Sequence, residues 1–390
     1  MSVRGRMSGN EAAALAIRQI NPDVVAAFPI TPSTEIPQFV SRFVADGAVD
    51  TEFVAVESEH SAMSACMGAE AAGVRAMTAT SSAGMALMYE LLYVAASDRL
   101  PIVLAAVNRA LTGPININTE HSDSMGARDS GWIQIYSENA QEAYDNMLMA
   151  HRIGEHEDVM LPVMICQDGF ITSHAIENIE TEEDAAVRAF IGTYKPQHHL
   201  LDPAESVAVG PYGVSAYVME LKRAQAYAME CAKQVILDVS FDFAQKFGRA
   251  YGLFEEYRME DAEVGVLIIG SAAGTCKDAV DRLRERGVKA GLVKLRVFRP
   301  FPAEELAKAL GGLSALAIMD RSDGFSGVGG PLGAEVRAAL YSYGISKTVT
   351  TNIVYGLGGR DIRVEDFESI YGMLGSKEEL PRTMYIGQRE

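Results

Sequence analysis

The sequence predicts an α/β protein in two parts, a doubly wound first domain followed by a smaller α/β domain. Three observations carry this. Short apolar runs alternate with longer amphipathic stretches through the first half, the pattern of strands and helices in turn. The same alternation starts afresh at Ala262, after an irregular middle. At 390 residues the chain also exceeds one ordinary domain.

Gly9 to Ile20 has apolar residues at helical spacing, and Asp23 to Phe28 reads as a buried strand. Pro29-Ile30-Thr31-Pro32 ends it, because each proline fixes φ and disfavours helix in the residue before it. A helix over Ser33 to Asp46, a strand over Thr51 to Val56 and a small-residue helix over Ser58 to Gly73 follow. Arg75 to Thr80 is the next strand and Gly84 to Ala96 the next helix. Pro101 to Val107 is continuously apolar, as strands of a parallel sheet covered on both faces are.

The middle is less legible. YKPQHHLLDP and the pair Gly210-Pro211 read as loop. A helical stretch from Val214 to Phe254, broken near Gly248, leads onward, so residues 186–258 link two parts. The second part alternates again: strand EVGVLIIGS, helix Thr275 to Arg286, strand Val288 to Leu295, helix Ala303 to Leu310, strand LSALAIMDRS and helix Leu332 to Tyr343. The expected division is 1–258 and 259–390, with no internal repeat.

Composition narrows the function. A net charge of −18 argues against nucleic-acid binding, which needs clustered Lys and Arg. No apolar run approaches the roughly 18 residues of a membrane span. The first residues carry arginines with no apolar stretch behind them, so a cytoplasmic protein is expected. Cys66, Cys166, Cys231 and Cys276 lie far apart without a C-x-x-C pair, which disfavours disulfides, structural zinc and a ferredoxin-type cluster.

In a doubly wound sheet, ligands bind beyond the carboxyl ends of the strands. The residues just after the apolar runs are therefore the candidates: Thr31, Glu59, Ser81-Ser82 and Asn108-Arg109. Glu59 opens a helix, where a carboxylate either caps the backbone or does chemistry, and Glu57 and His60 compete with it. Arg109 suits bidentate recognition of a carboxylate, or else a structural ion pair. Arg128, in GARDSGW, is a similar case. The rigid turn FPITPS could hold the Thr31 hydroxyl toward a ligand. GVGGP (327–331) and GLGGR (356–360) read as turns, since neither completes a phosphate-binding pattern. No G-D-G followed by asparagine is present, and QDGF (167–170) lacks the first glycine.

Taken together, several long strings resemble the α subunit of the 2-oxoacid:ferredoxin oxidoreductase family, most of all the pyruvate enzyme. They include VVAAFPITPSTEI, VESEHSAMSACMGAEAAGVRAMTATSSAGMALM, VNRALTGPINI, EHSDSMGARDSGWIQIYSENAQEAYD, VGVLIIGSAAGT, VKLRVFRPF and LAIMDRS, in order along nearly the whole chain. The resemblance implies a pyrimidine-facing thiamine diphosphate domain and a transketolase C-terminal-like domain. It also implies decarboxylation of a 2-oxoacid, acyl transfer to coenzyme A, and electrons passed to ferredoxin.

Thiamine diphosphate would be shared with a β subunit holding the diphosphate and Mg²⁺. [4Fe–4S] clusters would sit in partners, with γ and ferredoxin-like δ subunits completing the complex, and no metal is expected in this chain. By the same resemblance, Glu59 matches the glutamate that hydrogen-bonds the aminopyrimidine and favours the imino tautomer, whose nitrogen takes the thiazolium proton. Thr31 and Arg109 match positions holding the substrate carboxylate, with Arg128 nearby. Phe28, Pro29 and Ile30 line the cofactor; relatives often have tyrosine where Phe28 stands, so no hydroxyl contact is expected there. One threonine with one arginine suits a small monocarboxylate such as pyruvate, whereas oxalate or 2-oxoglutarate, with a second carboxylate, would favour an extra basic residue; a branched 2-oxoacid, 2-oxoglutarate or oxalate is the alternative substrate. A non-catalytic structural subunit is the other reading, and retention of Glu59, Thr31 and Arg109 together weighs against it.

Overall fold

A computed structural model describes residues 3–376 and 378–389. After an edge strand β1 (Val3–Met7), helix α1 (Gly9–Ile20) starts at a capping box. There Ser8 accepts from the Glu11 N–H and the Glu11 carboxylate accepts from the Ser8 N–H, satisfying two donors that a helix start leaves open. Strand β2 (Val24–Ala27), helix α2 (Glu35–Ala45), strand β3 (Glu52–Ala55), helix α3 (Glu59–Ala71) and strand β4 (Ala76–Thr80) follow. The helix expected over Gly84 to Ala96 is two, α4 (Ser82–Leu87) and α5 (Tyr89–Ser97). The chain turns between them at Met88 (φ −91°, ψ 8°), which buries that side chain completely.

Strand β5 (Val103–Asn108), the short helix α6 (Ser122–Gly126), strand β6 (Ile133–Ser137), helix α7 (Ala140–Gly154) and strand β7 (Val163–Asp168) complete the first domain's parallel core. Strand β8 (Glu177–Thr181) pairs antiparallel with β1, and helix α8 (Asp184–Ile191) follows. The sequence reading did not anticipate this small ribbon, since VRGRM is short and polar.

In the linking segment, the long helix α9 (Ser215–Phe247) stops at Gly248, as expected. Gly248 takes φ 78° and returns its N–H to the Ala244 carbonyl, a left-handed cap that glycine adopts without a Cβ clash. The helix does not resume toward Phe254. Strand β9 (Phe254–Tyr257) forms instead and joins the second sheet.

That sheet contains β10 (Val264–Ile269), then helix α10 (Ala272–Glu285), then β11 (Ala290–Leu295). Strand β12 (Val297–Arg299) crosses back, and helix α11 (Ala303–Leu310), strand β13 (Ala315–Asp320) and helix α12 (Pro331–Ser342) follow. Strand β14 (Val349–Val354), helix α13 (Val364–Leu374) and strand β15 (Thr383–Tyr385) end the fold.

Among the described residues the first sheet has the order β12-β6-β7-β5-β4-β2-β3 and the second β15-β14-β13-β10-β11-β9. Strands β3, β2, β4, β5, β7 and β6 are parallel, and β12 closes that edge antiparallel. The fully buried β5, β7, β10 and β13 are apolar almost throughout because helices cover both faces. β9 precedes the second domain's β10 but borders β11, while β12 leaves the second domain to border β6, so the two sheets exchange strands. One apolar cluster runs across both, including Leu104, Trp132 and Met164 of the first part and Leu267, Phe298 and Leu316 of the second. Lys294 on β11 is buried among Glu138, Glu142 and Glu255, which adds a polar seam between the parts.

One buried acid gives the fold a pH dependence. Glu70 is 3% exposed and accepts the Ala76 N–H at 2.9 Å. Burial raises its carboxyl to about 8. The unfolded chain releases this proton above its ordinary value, so the contribution is complete below about pH 4.5 and is lost as pH rises toward 8. Glu70→Gln is expected to flatten the fall in thermal midpoint between about pH 5 and about pH 8. An unchanged slope would place the dependence in other groups.

Candidate active site

The first sheet reverses direction of winding between β2 and β4, the place where a crevice opens at the carboxyl edge. Residues after β2, β3, β4 and β5 all leave the sheet on this edge, so Thr31, Glu59, Ser81-Ser82 and Arg109 come from four segments toward one region.

The turn after β2 is rigid. The Ser33 hydroxyl donates to the Ile30 carbonyl at 2.8 Å, and the Asn10 amide donates to the Pro32 carbonyl at 2.9 Å. Phe28 and Ile30 are half-buried, whereas Pro29 and Thr31 are exposed. The Thr31 carbonyl accepts from Arg109 Nη1 at 3.0 Å, which joins the two residues expected to share a substrate carboxylate.

Glu59 is not the helix cap. Ser58 is: it is extended and its hydroxyl accepts the Ser61 N–H at 3.2 Å, leaving Glu59 as the first helical residue. Of the three rival groups, Glu57 and His60 are exposed, and the Glu57 carboxylate takes the Ser61 hydroxyl. Glu59 is 5% exposed, and no hydrogen bond or ion pair holds its carboxylate among the described residues. It lies at the N-terminus of helix α3.

Gly84 makes room for it. A Cβ there would stand 2.6 Å from Glu59 Oε1 and 2.3 Å from Thr80 Oγ1, so any larger residue would close the space. Thr80 Oγ1, at this recess, is buried without a partner among the described residues, as is Ser81 Oγ at the end of the same strand. A buried carboxylate and an orphaned hydroxyl around a glycine suit a polar heterocycle, because such groups are costly unless something bonds them.

Arg109 is 6% exposed and forms no ion pair among the described residues. Its guanidinium instead donates to two carbonyls, Thr31 and Asn116 (Nε, 3.2 Å), so its charge remains available to an anion. The main-chain N–H of Arg109 donates to Asp123 Oδ2 at 2.9 Å.

Asp123 itself is a hub that the sequence reading missed. Its carboxylate also accepts from Ser82 N, Asn108 Nδ2 and Ser124 N, tying the ends of β4 and β5 together. Burial raises its carboxyl despite these donors. It also steadies Ser82, which holds a left-handed φ of 45°. The only signal in the sequence was an acid among small residues in HSDSMGA.

Arg128 is not brought to this group. It is partly exposed, donates to the Met125 carbonyl at 2.9 Å and lies 3.8 Å from Asp129, sharing no partner with Thr31 or Arg109.

The near-miss QDGF has a different part. Asp168 ends β7, and His121 Nε2 lies 2.6 Å from its Oδ1. Its Oδ2 accepts from Arg321 Nη1 at 2.7 Å and from the Ser271 N–H at 2.9 Å. Burial pushes this carboxyl up, but Arg321 and His121 outweigh burial and hold it well below the usual carboxylate range. Ser271 follows β10 and Arg321 follows β13, so one buried carboxylate of the first domain anchors two strand ends of the second.

With this geometry in place, comparison with known proteins identifies the family. Residues 15–240 match the family described as "Pyruvate flavodoxin/ferredoxin oxidoreductase, thiamine diP-bdg". The chain belongs to that family. Residues 262–367 match "Pyruvate:ferredoxin oxidoreductase core domain II". The chain is 50% identical to pyruvate synthase subunit PorA of Thermotoga maritima, over 99% of this chain and 98% of that one. It is 44% identical to the PorA subunit of Methanocaldococcus jannaschii, covering 98% of each. Ketoisovalerate oxidoreductase subunit VorA of Pyrococcus abyssi is 43% identical over 93% of this chain and 91% of its own.

Among solved structures, the fold matches a 2-oxoglutarate:ferredoxin oxidoreductase from Magnetococcus marinus (TM-score 0.74, 19% identity), over 95% of this chain and 65% of that longer one. It also matches a split-gene transketolase (TM-score 0.57, 14% identity), over 95% of this chain and 98% of the other. Both support the α/β fold expected from the sequence. Among the described residues no helix is long and apolar enough to cross a membrane.

Proposed function

We propose that this chain is the α subunit of a cytoplasmic pyruvate:ferredoxin oxidoreductase, converting pyruvate, coenzyme A and oxidised ferredoxin reversibly to acetyl-CoA, CO₂ and reduced ferredoxin. The observation that carries the reading is Glu59: a buried carboxylate, free of capping duty, in a recess that Gly84 keeps open. The residues fit the pyrimidine end of thiamine diphosphate, with Glu59 as the group bonded to the ring and Phe28, Pro29 and Ile30 along its edge. When bound, the cofactor supplies the electron sink for decarboxylation. Glu59 holds a proton in place at a ring nitrogen. Arg109 and Thr31 orient the substrate carboxylate, using the guanidinium charge that no acid of the described residues neutralises.

The chain lacks a diphosphate and Mg²⁺ motif and C-x-x-C pairs, so a β subunit is assigned the metal and diphosphate. The γ and ferredoxin-like δ subunits, with [4Fe–4S] clusters, are assigned electron transfer. Exposed Leu111, Ile115 and Ile117, on the loop after β5, suit a protein partner there. The proposed division, 1–258 and 259–390, treats the first part as the cofactor-facing domain and the second as its brace.

The test is viologen reduction by the native complex purified through this chain, with coenzyme A and a panel of 2-oxoacids. Turnover with pyruvate far above branched acids, 2-oxoglutarate and oxalate is expected. Preference for a branched acid, as the VorA relatives' name would suggest, would keep the family and replace the substrate.

A further inference from the structure

We infer that the glycine turn Gly356–Gly359 of the second domain is a positioning element of the active site, acting on Arg109 through Asn116 and Asn118. The inference rests on the reading of Arg109 as the contact to the substrate carboxylate.

The loop between β5 and α6 is held at its start, where the Leu111 N–H donates to Ser122 Oγ at 2.9 Å, but residues 112–115 are exposed and lie outside any helix or strand. Yet this loop supplies the Asn116 carbonyl that accepts from Arg109 Nε, one of the two contacts fixing the guanidinium. Its internal order is a short relay. The Asn118 N–H donates to Asn116 Oδ1 at 2.7 Å, and the Ala110 N–H donates to the Asn118 carbonyl at 3.0 Å.

The outer anchor comes from the other domain. Asn116 Nδ2 donates to the Gly358 carbonyl at 3.1 Å, and the Gly358 N–H donates to Glu120 Oε2 at 2.9 Å. The turn sits so close that only glycine fits. A Cβ on Gly358 would stand 2.8 Å from Asn116 Nδ2, and one on Gly359 would stand 2.3 Å from Asn118 Cβ. Asn118 Cβ is fixed to the backbone and cannot swing aside, so a methyl on Gly359 must displace the loop. Both glycines also take left-handed φ, 63° and 80°.

The second domain thus shapes the substrate side of the site without touching substrate. Misplacement of a binding group by about 1 Å can cost on the order of 10²-fold.

The test compares variants of the assembled complex in the pyruvate assay. Gly359→Ala is expected to raise the KM for pyruvate about tenfold or more, with kcat changed far less and the KM for coenzyme A and the thiamine content unchanged. Asn116→Ala, which removes the anchor without adding atoms, should move KM the same way and decides the matter if Gly359→Ala fails to assemble. Gly287→Ala is the control. It carries the same left-handed strain (φ 81°) with nothing within 4 Å of the added methyl, and should leave KM unchanged. Adding Asn118→Gly to Gly359→Ala should restore much of the KM by removing the clash.

If Gly359→Ala behaves like Gly287→Ala, or Asn116→Ala leaves KM unchanged, the inference is overturned. Arg109→Ala separates this from failure of the underlying reading. A normal KM for pyruvate in Arg109→Ala would sink the site assignment itself. A raised KM there with normal values in the other two would sink only the relay.

Discussion

Glu59→Gln is expected to lower pyruvate turnover about 10²- to 10⁴-fold while the complex still assembles, the effect of removing one positioned acid–base group. Glutamine has nearly the same shape and leaves Gly84, Thr80 and Ser81 undisturbed, so folding should survive. It also cannot take a proton, whereas the carboxylate can. The loss should fall on kcat, because the group acts on the cofactor ring and not on the 2-oxoacid. Turnover retained within a fewfold would remove Glu59 from the chemistry and revive the structural-subunit reading.

Asp168→Asn is expected to destabilise the folded chain by about 3–5 kcal/mol, the range for breaking one side of a buried ion pair. The amide would turn an NH₂ toward donors that need an acceptor: Arg321 Nη1 and the Ser271 N–H. Arg321, 2% exposed, would be left with a buried and poorly compensated charge. Because the Asp168 carboxyl is held below its unfolded value of about 3.9, its contribution is complete at neutral pH and is withdrawn only as pH falls below about 4. Thermal unfolding at neutral pH should therefore show the full difference between variant and wild type, and acid should narrow it. A midpoint shifted by no more than a degree or two would mean that the domains hold together without this ion pair.

Glu59, Thr31 and Arg109 could be singled out as candidates in the sequence because local patterning exposes them. Each follows a run of apolar residues, and in a parallel sheet the end of such a run is the edge where ligands bind. QDGF stood out only as an incomplete diphosphate motif, and its Asp168 instead bonds residues of the second domain. Arg128 was a candidate by residue type alone, and it follows the short helix α6 and not a strand. Asp123 escaped notice because its value lies in donors from two distant segments, Ser82 and Asn108-Arg109, besides its neighbour Ser124. No spacing rule brings those together.

The sequence by itself determined the alternation of strands and helices, the break at Gly248 and the strand-end positions of the candidate residues. These follow from periodicity, from proline and glycine backbone limits, and from the burial that a parallel sheet demands. Only the tertiary structure decided that β9 and β12 exchange between sheets, that Ser58 relieves Glu59 of capping, and that GLGGR presses on the loop beside Arg109. Each depends on contacts between residues far apart in the chain, Asn116 and Gly358 among them. Those distances are set by how the two domains pack, which no local pattern encodes.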